Sequence, residues 1–174
     1  MVTPSYKGFD NMEQHIDELL KMPVAERSKL KWDDPRLDTV AERLEKKYEL
    51  PFGAIRALKY AENRGSTQDS SAKSPKGAQG IMQFMPDTMN LQGGMFKHNV
   101  NDPVESMDAA GKLLQYTLKN QYKGNIVAAF ADYNGGPEQA KYILGNKPPK
   151  AVETQKYLQN IKEWYVTSKK KPPK

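Results

Sequence analysis

Glu62 is the residue whose position asks for a chemical explanation. Counting from Ile55, Leu58 falls three residues on and Glu62 seven, so the glutamate continues an apolar helical stripe while Arg56, Lys59 and Asn63 lie on other faces. A carboxyl on such a face is partly desolvated, its pKa rises, and it stays protonated near neutrality. That is the state a general acid for glycoside cleavage requires. The same spacing also suits a helix-terminal glutamate that snorkels to water. His15 and His98 each stand alone. With no second ligand at metal spacing and no Ser-His-Asp order, neither a zinc site nor a hydrolase triad is expected. No metal or organic cofactor is implied.

The elements that must carry this chemistry read as nearly all helix, punctuated by Gly, Pro and Asn clusters. Residues 10–22 form a short amphipathic stretch, with Met12, Ile16, Leu19 and Leu20 on one face and Pro23 closing it. A second begins after Asp34-Pro35, with Leu37, Val40, Ala41, Leu44 and Tyr48 as its inner stripe. The helix bearing Glu62 is expected from Pro51 to about Asn63. A polar loop comes next, from Gly65 to Gly80, then a short helix near residues 86–91. The longest helix is expected to start at Asp102-Pro103 and reach about Tyr122. Further helices cover Ile126 to Asn134 and Pro137 to Leu144, and a last one carries Tyr157, Ile161 and Trp164. No alternating strand pattern and no internal repeat is present. The predicted class is a compact all-α domain.

The chain beyond Glu62 narrows the chemistry. The segment Ser74-Pro75-Lys76-Gly77-Ala78-Gln79-Gly80-Ile81-Met82-Gln83-Phe84-Met85-Pro86-Asp87-Thr88 is succeeded by Ala131-Asp132-Tyr133-Asn134-Gly135-Gly136-Pro137 and then by Glu153-Thr154-Gln155-Lys156-Tyr157. Over roughly residues 50–165 this resembles the soluble lytic transglycosylase (SLT) family. Its pattern is a catalytic Glu, then S-x-x-G-A-x-G-L-M-Q-x-M-P-x-T, A-Y-N-x-G-P and E-T-x-x-Y, in that order. The resemblance implies a lysozyme-like helical fold, related to goose-type lysozymes, with an N-terminal helical extension. The expected divisions are the extension at 1–45, a catalytic domain at 46–167 and a basic tail at 168–174.

Carried over residue by residue, the resemblance implies that Glu62 protonates the glycosidic oxygen and then, as carboxylate, deprotonates the attacking hydroxyl. Tyr133 would hydrogen-bond and orient Glu62. Ser74, Met82, Gln83 and Asn134 would line the sugar groove, and Glu153 would hold a saccharide beside the cleavage point. The substrate implied is the peptidoglycan glycan strand, cut at the MurNAc-GlcNAc β-1,4 bond to leave a 1,6-anhydro end. Met82, Phe84 and Tyr133 are also natural core residues, and Gly77, Gly80 and Gly136 natural turn residues. Two departures stand out. Glu62 and Ser74 are twelve residues apart rather than the usual nine, which lengthens the first loop. Asp132 replaces the alanine usual before Tyr-Asn and adds a charge near the site.

Most glycosidases need two carboxylates, whereas a transglycosylase needs one, because the substrate's own 6-hydroxyl is the nucleophile. The rival enzyme is a goose-type muramidase that activates water with a loop aspartate, here Asp69. Another class of reading is a non-catalytic wall-binding or virion structural module. The net charge of +6 and pI near 9.3 favour polyanions in general. Without a nucleic-acid motif or aromatic-interleaved basic stretch, no specific nucleic-acid partner is expected. Apolar residues at 37% imply a modest core, and the absence of cysteine excludes disulfides and thiolate sites. No signal peptide or membrane span is visible. The preferred expectation is a bacteriophage virion component, carried to the wall among other virion proteins and acting there to let the genome pass; a secretion-system accessory and a chain whose signal has been removed are the alternatives.

Overall fold

The computed structural model describes residues 16–85 and 99–170. The first helical stretch is seen as residues 16–21, with its expected start and Met12 outside the described residues. The helix expected near 86–91, both histidines and the end of the basic tail also lie outside them. The helices are α1 (Val24–Arg27), α2 (Pro35–Lys47), α3 (Ala54–Asn63), α4 (Pro103–Tyr116), α5 (Ile126–Gly135), α6 (Pro137–Leu144) and α7 (Val152–Lys170), with a π-helical turn at Thr117–Gln121 after α4. Among the described residues the only β pairing is in isolated bridges, Lys31 with Asp69, Lys73 with Gln79 and Gln79 with Phe84. No helix among them is long and apolar enough to cross a membrane.

Local chemistry sets the helix starts. Asp34, Asp102 and Asn125 each accept a hydrogen bond from a backbone N–H of the first turn, and Pro35 and Pro103 fill the first helical position. Where α3 begins differs from the expectation. It starts at Ala54 rather than Pro51, because the buried Glu45 carboxylate of α2 accepts from the N–H groups of Gly53 (2.9 Å), Ile55 (3.1 Å) and Arg56 (3.1 Å). Gly53 takes φ 76°, and a side chain there would strike the Trp164 ring. Among the described residues the longest helix is α7, with 19 residues. The helix from Pro103 gives way at Thr117 to the wider π turn, so α4 is shorter than its sequence pattern suggested.

Helix α3 is central. It packs against α2, α4 and α7, while α5 packs against α6 and α7. Its apolar face, with Ile55 and Leu58 fully buried, joins Leu37, Met107, Leu114 and Ile161 in one core that also takes in Ile16 and Leu19. Each large aliphatic side chain so buried stabilises the fold by about 1.5–3 kcal/mol. The other faces of α3 are covered too. Lys59, 1% exposed, donates to the Trp32 carbonyl (2.6 Å) and pairs with Asp38 (2.6 Å). Arg56 pairs with Glu45 at 2.7 Å. The helix is thus buried nearly all round, with its polar residues satisfied by partners rather than by solvent.

Helix α7 runs antiparallel along α3. The Tyr165 hydroxyl donates to the Phe52 carbonyl at the start of α3 (2.7 Å), Tyr60 donates to Glu163 midway (3.0 Å), and Tyr157 reaches Glu62 at the end (2.7 Å). That alignment brings the last helix to the catalytic candidate.

Candidate active site

The end of α3 is fastened to the loop after it. The buried Asn63 amide donates to the Lys59 carbonyl (2.7 Å) and to the Ile81 carbonyl (2.6 Å). Within the loop, the Ala78 N–H donates to the Ser74 hydroxyl oxygen (3.0 Å), and the Ser74 N–H donates to the Ala78 carbonyl (2.8 Å). Gly80 sits at φ 76°, where any side chain would collide with the Val100 carbonyl oxygen. That close approach is why glycine is required there. Gln83, at φ 51°, ties its amide to the Gly80 carbonyl (2.7 Å). The strained backbone is held by this web and faces the site.

A groove of about 490 Å³ opens over this loop. Glu62 borders it together with Ser74, Gln83, Tyr133, Asn134 and Glu153. Lys76 and Met85, which the motif reading did not single out, also border it. A larger hollow of about 650 Å³ lies against α6, but it contains none of these residues.

Glu62 keeps partial access to the groove, as a group that must exchange a proton with a ligand has to. The protein around its carboxyl nonetheless strips away enough water to push its pKa up to about 8. The hydrogen bond donated by Tyr157 opposes this, and the nearby negative charge of Glu153 adds to it. The acid is therefore protonated at neutral pH and poised to titrate just above it.

Two expected placements are corrected. The phenol bonded to Glu62 is that of Tyr157 (2.7 Å), not Tyr133. Tyr133 donates instead to the Met82 carbonyl (2.7 Å) and sets its ring against Phe84, centroids 6.0 Å apart. It is still close enough for the Glu62 charge to help burial hold its phenol well above the ordinary tyrosine range. The Met82 side chain does not line the groove. It is fully buried in the core, and what it contributes to the site is the carbonyl that Tyr133 binds. An apolar side chain on this turn is stabilised more by burial than by facing a wet groove.

Sequence reasoning placed Tyr157 on a helical stripe and at the end of the E-T-x-x-Y motif, but gave it no role at the site. The signal for its second role was its position four residues after Glu153, which stacks both on one face of α7. Thr154, on the same helix, donates to the Asn134 side-chain oxygen (2.8 Å) and so fixes another groove residue. Asp69 stands apart. It accepts from the Ser71 N–H (3.0 Å) and hydroxyl (2.6 Å), which hold its carboxyl below the usual range, and it borders a separate hollow with Lys29, Lys31 and Lys73. Among the described residues no group of three or more His, Cys, Asp or Glu gathers to hold a metal.

Comparison with known proteins places the chain in a family. The chain is 30% identical over 128 residues to the soluble lytic murein transglycosylase of Escherichia coli K12, an alignment covering 66% of this chain and 19% of that protein. To the Salmonella typhimurium protein of the same name it is 33% identical over 88 residues, covering 47% of this chain and 14% of the relative. Among solved structures, the lytic transglycosylase Slt of Pseudomonas aeruginosa, in an inactive mutant with glutamine in place of a glutamate, superposes with a TM-score of 0.61 at 25% identity. That match covers 75% of this chain and 23% of the other. The chain thus spans about a fifth of the length of these larger proteins. The transglycosylase SLT domain pattern itself matches residues 39–156, from within α2 to the residue before Tyr157. The chain belongs to the transglycosylase SLT domain family.

Proposed function

We propose that this chain is a peptidoglycan lytic transglycosylase that cleaves the MurNAc-GlcNAc β-1,4 bond with Glu62 as its single acid and base. The observation that carries the proposal is a carboxyl held protonated at the edge of a groove, with one oxygen fixed by Tyr157. In the first step Glu62 gives its proton to the glycosidic oxygen as the bond from the anomeric carbon to that oxygen breaks. The substrate's 2-acetamido group stabilises the positive charge. In the second step the Glu62 carboxylate takes the proton of the MurNAc 6-hydroxyl as that oxygen bonds to the anomeric carbon. The acid is restored and no water enters. Because nucleophile and electrophile belong to one sugar, correct positioning supplies up to about 7–11 kcal/mol of the barrier reduction. The position of Asp69 in another hollow favours this route over one in which that aspartate activates water.

The similarity to proteins named as murein transglycosylases supports the same reading. Mass spectrometry of digested sacculi is the test. Wild-type protein is expected to release products lighter by one water than hydrolysis would give, and Glu62→Gln to reduce their release by at least about a thousandfold. Products with reducing ends, or undiminished release by the variant, would overturn the assignment.

A further inference from the structure

The groove that holds Glu62 adjoins a second hollow of about 390 Å³, which shares Met85, Tyr133 and Asn134 with it. Among the described residues lining this second hollow, Asp132 is the only charged one. It is half-buried at the end of α5, and one of its oxygens accepts a hydrogen bond from the Tyr122 hydroxyl. The other oxygen has no hydrogen-bond partner among the described residues. Burial pushes the Asp132 pKa up, the Tyr122 phenol opposes it, and no positive charge among the described residues contributes. That is unexpected in a chain with 27 Lys and Arg against 21 Asp and Glu. A half-buried carboxylate without a cation is poorly stabilised, and holding Tyr122 requires only a neutral acceptor.

Met85, Leu113 and Ala129 line the same hollow and give it an apolar wall. A carboxylate next to an apolar wall suits an ammonium group carried on a methylene chain. We propose that Asp132 binds a primary ammonium group of the substrate in the hollow beside the cleavage groove, and so makes amine-bearing peptidoglycan the preferred polymer. This rests on the groove taking peptidoglycan. The wall favours the side-chain amine of a diamino acid in the stem peptide over the ring-borne amine of a de-N-acetylated glucosamine.

The test compares untreated sacculi with sacculi whose amines have been neutralised by chemical N-acetylation. Wild-type protein is expected to release anhydro products at least about fivefold faster from the untreated polymer, the range of a charge-assisted hydrogen bond. In Asp132→Asn the ratio is expected to fall to about one. Bulk charge works the other way, since acetylation makes the polymer more anionic and the protein carries +6. A merely structural role for Asp132 would change both rates and leave their ratio alone. Cosedimentation of Glu62→Gln protein with the same two polymers reads recognition without chemistry, so loss of the reaction and loss of the recognition are told apart. Stripping the stem peptides with an amidase is expected to abolish the preference; its survival would assign the ammonium to the sugar. Equal wild-type rates and binding on both polymers, or an unchanged ratio in Asp132→Asn, would overturn the proposal.

Discussion

An acid that protonates a glycosidic oxygen near neutral pH must be destabilised as its anion, and at Glu62 burial does most of this work. The Tyr157 phenol acts in the opposite sense, stabilising the anion while fixing one carboxyl oxygen at 2.7 Å. Tyr157 is therefore a positioning residue with a measurable electrostatic signature. Tyr157→Phe is expected to move the alkaline limb of the activity profile upward from about 8, by roughly one pH unit, because the bond that favoured the anion is gone. It should also lower kcat about tenfold through lost orientation. A lower kcat with no shift of the limb would contradict the assigned hydrogen bond. The sequence placed an aromatic partner near Glu62 but selected the wrong tyrosine. Both phenols lie on helical stripes, and only the packing of α7 along α3 decides between them. That contact joins residues 95 apart.

At the scale of elements, the site depends on where α3 starts, because its start and its buried stripe fix where Glu62 emerges. Glu45 sets that start by accepting three backbone N–H groups and pairing with Arg56. Glu45→Ala would leave a buried guanidinium and unpaired helix-terminal donors, with an expected loss of about 3–5 kcal/mol in urea unfolding. Glu45→Gln, which keeps the shape and some of the acceptors, is expected to lose less. Periodicity read most helices well, since α2, α5 and α6 have proline or an Asx cap at their starts. It missed the start of α3 because the cap is a side chain from the preceding helix, eight residues before Gly53. It also overran α4, because Leu118, at the next position of the apolar stripe, is buried even though it lies in the π turn. The groove was legible as a set of motifs. Ser74, Gln83, Asn134 and Glu153 border it, whereas Met82 turned inward.

For the molecule as a whole, the state of Glu62 is assembled by distant segments, with α3 supplying the carboxyl, the loop after it the groove floor, and α5 and α7 the two phenols. This couples the site to global stability. The folded chain keeps until about pH 8 a proton that the unfolded chain, with its carboxyl near 4.5, has already released. Stability contributed here is thus full below pH 4.5, falls as pH rises from there to about 8, and then levels off. Glu62→Gln escapes that loss and is expected to be more stable than wild type by on the order of 5 kcal/mol at alkaline pH, with the difference shrinking toward pH 4.5. The most direct test is carbon-13 NMR of labelled glutamate carboxyls across a pH titration, with Glu62 identified by the signal missing from Glu62→Gln. A midpoint near pH 8 is the expected result, and a midpoint near 4.5 would contradict the protonated acid on which the mechanism depends.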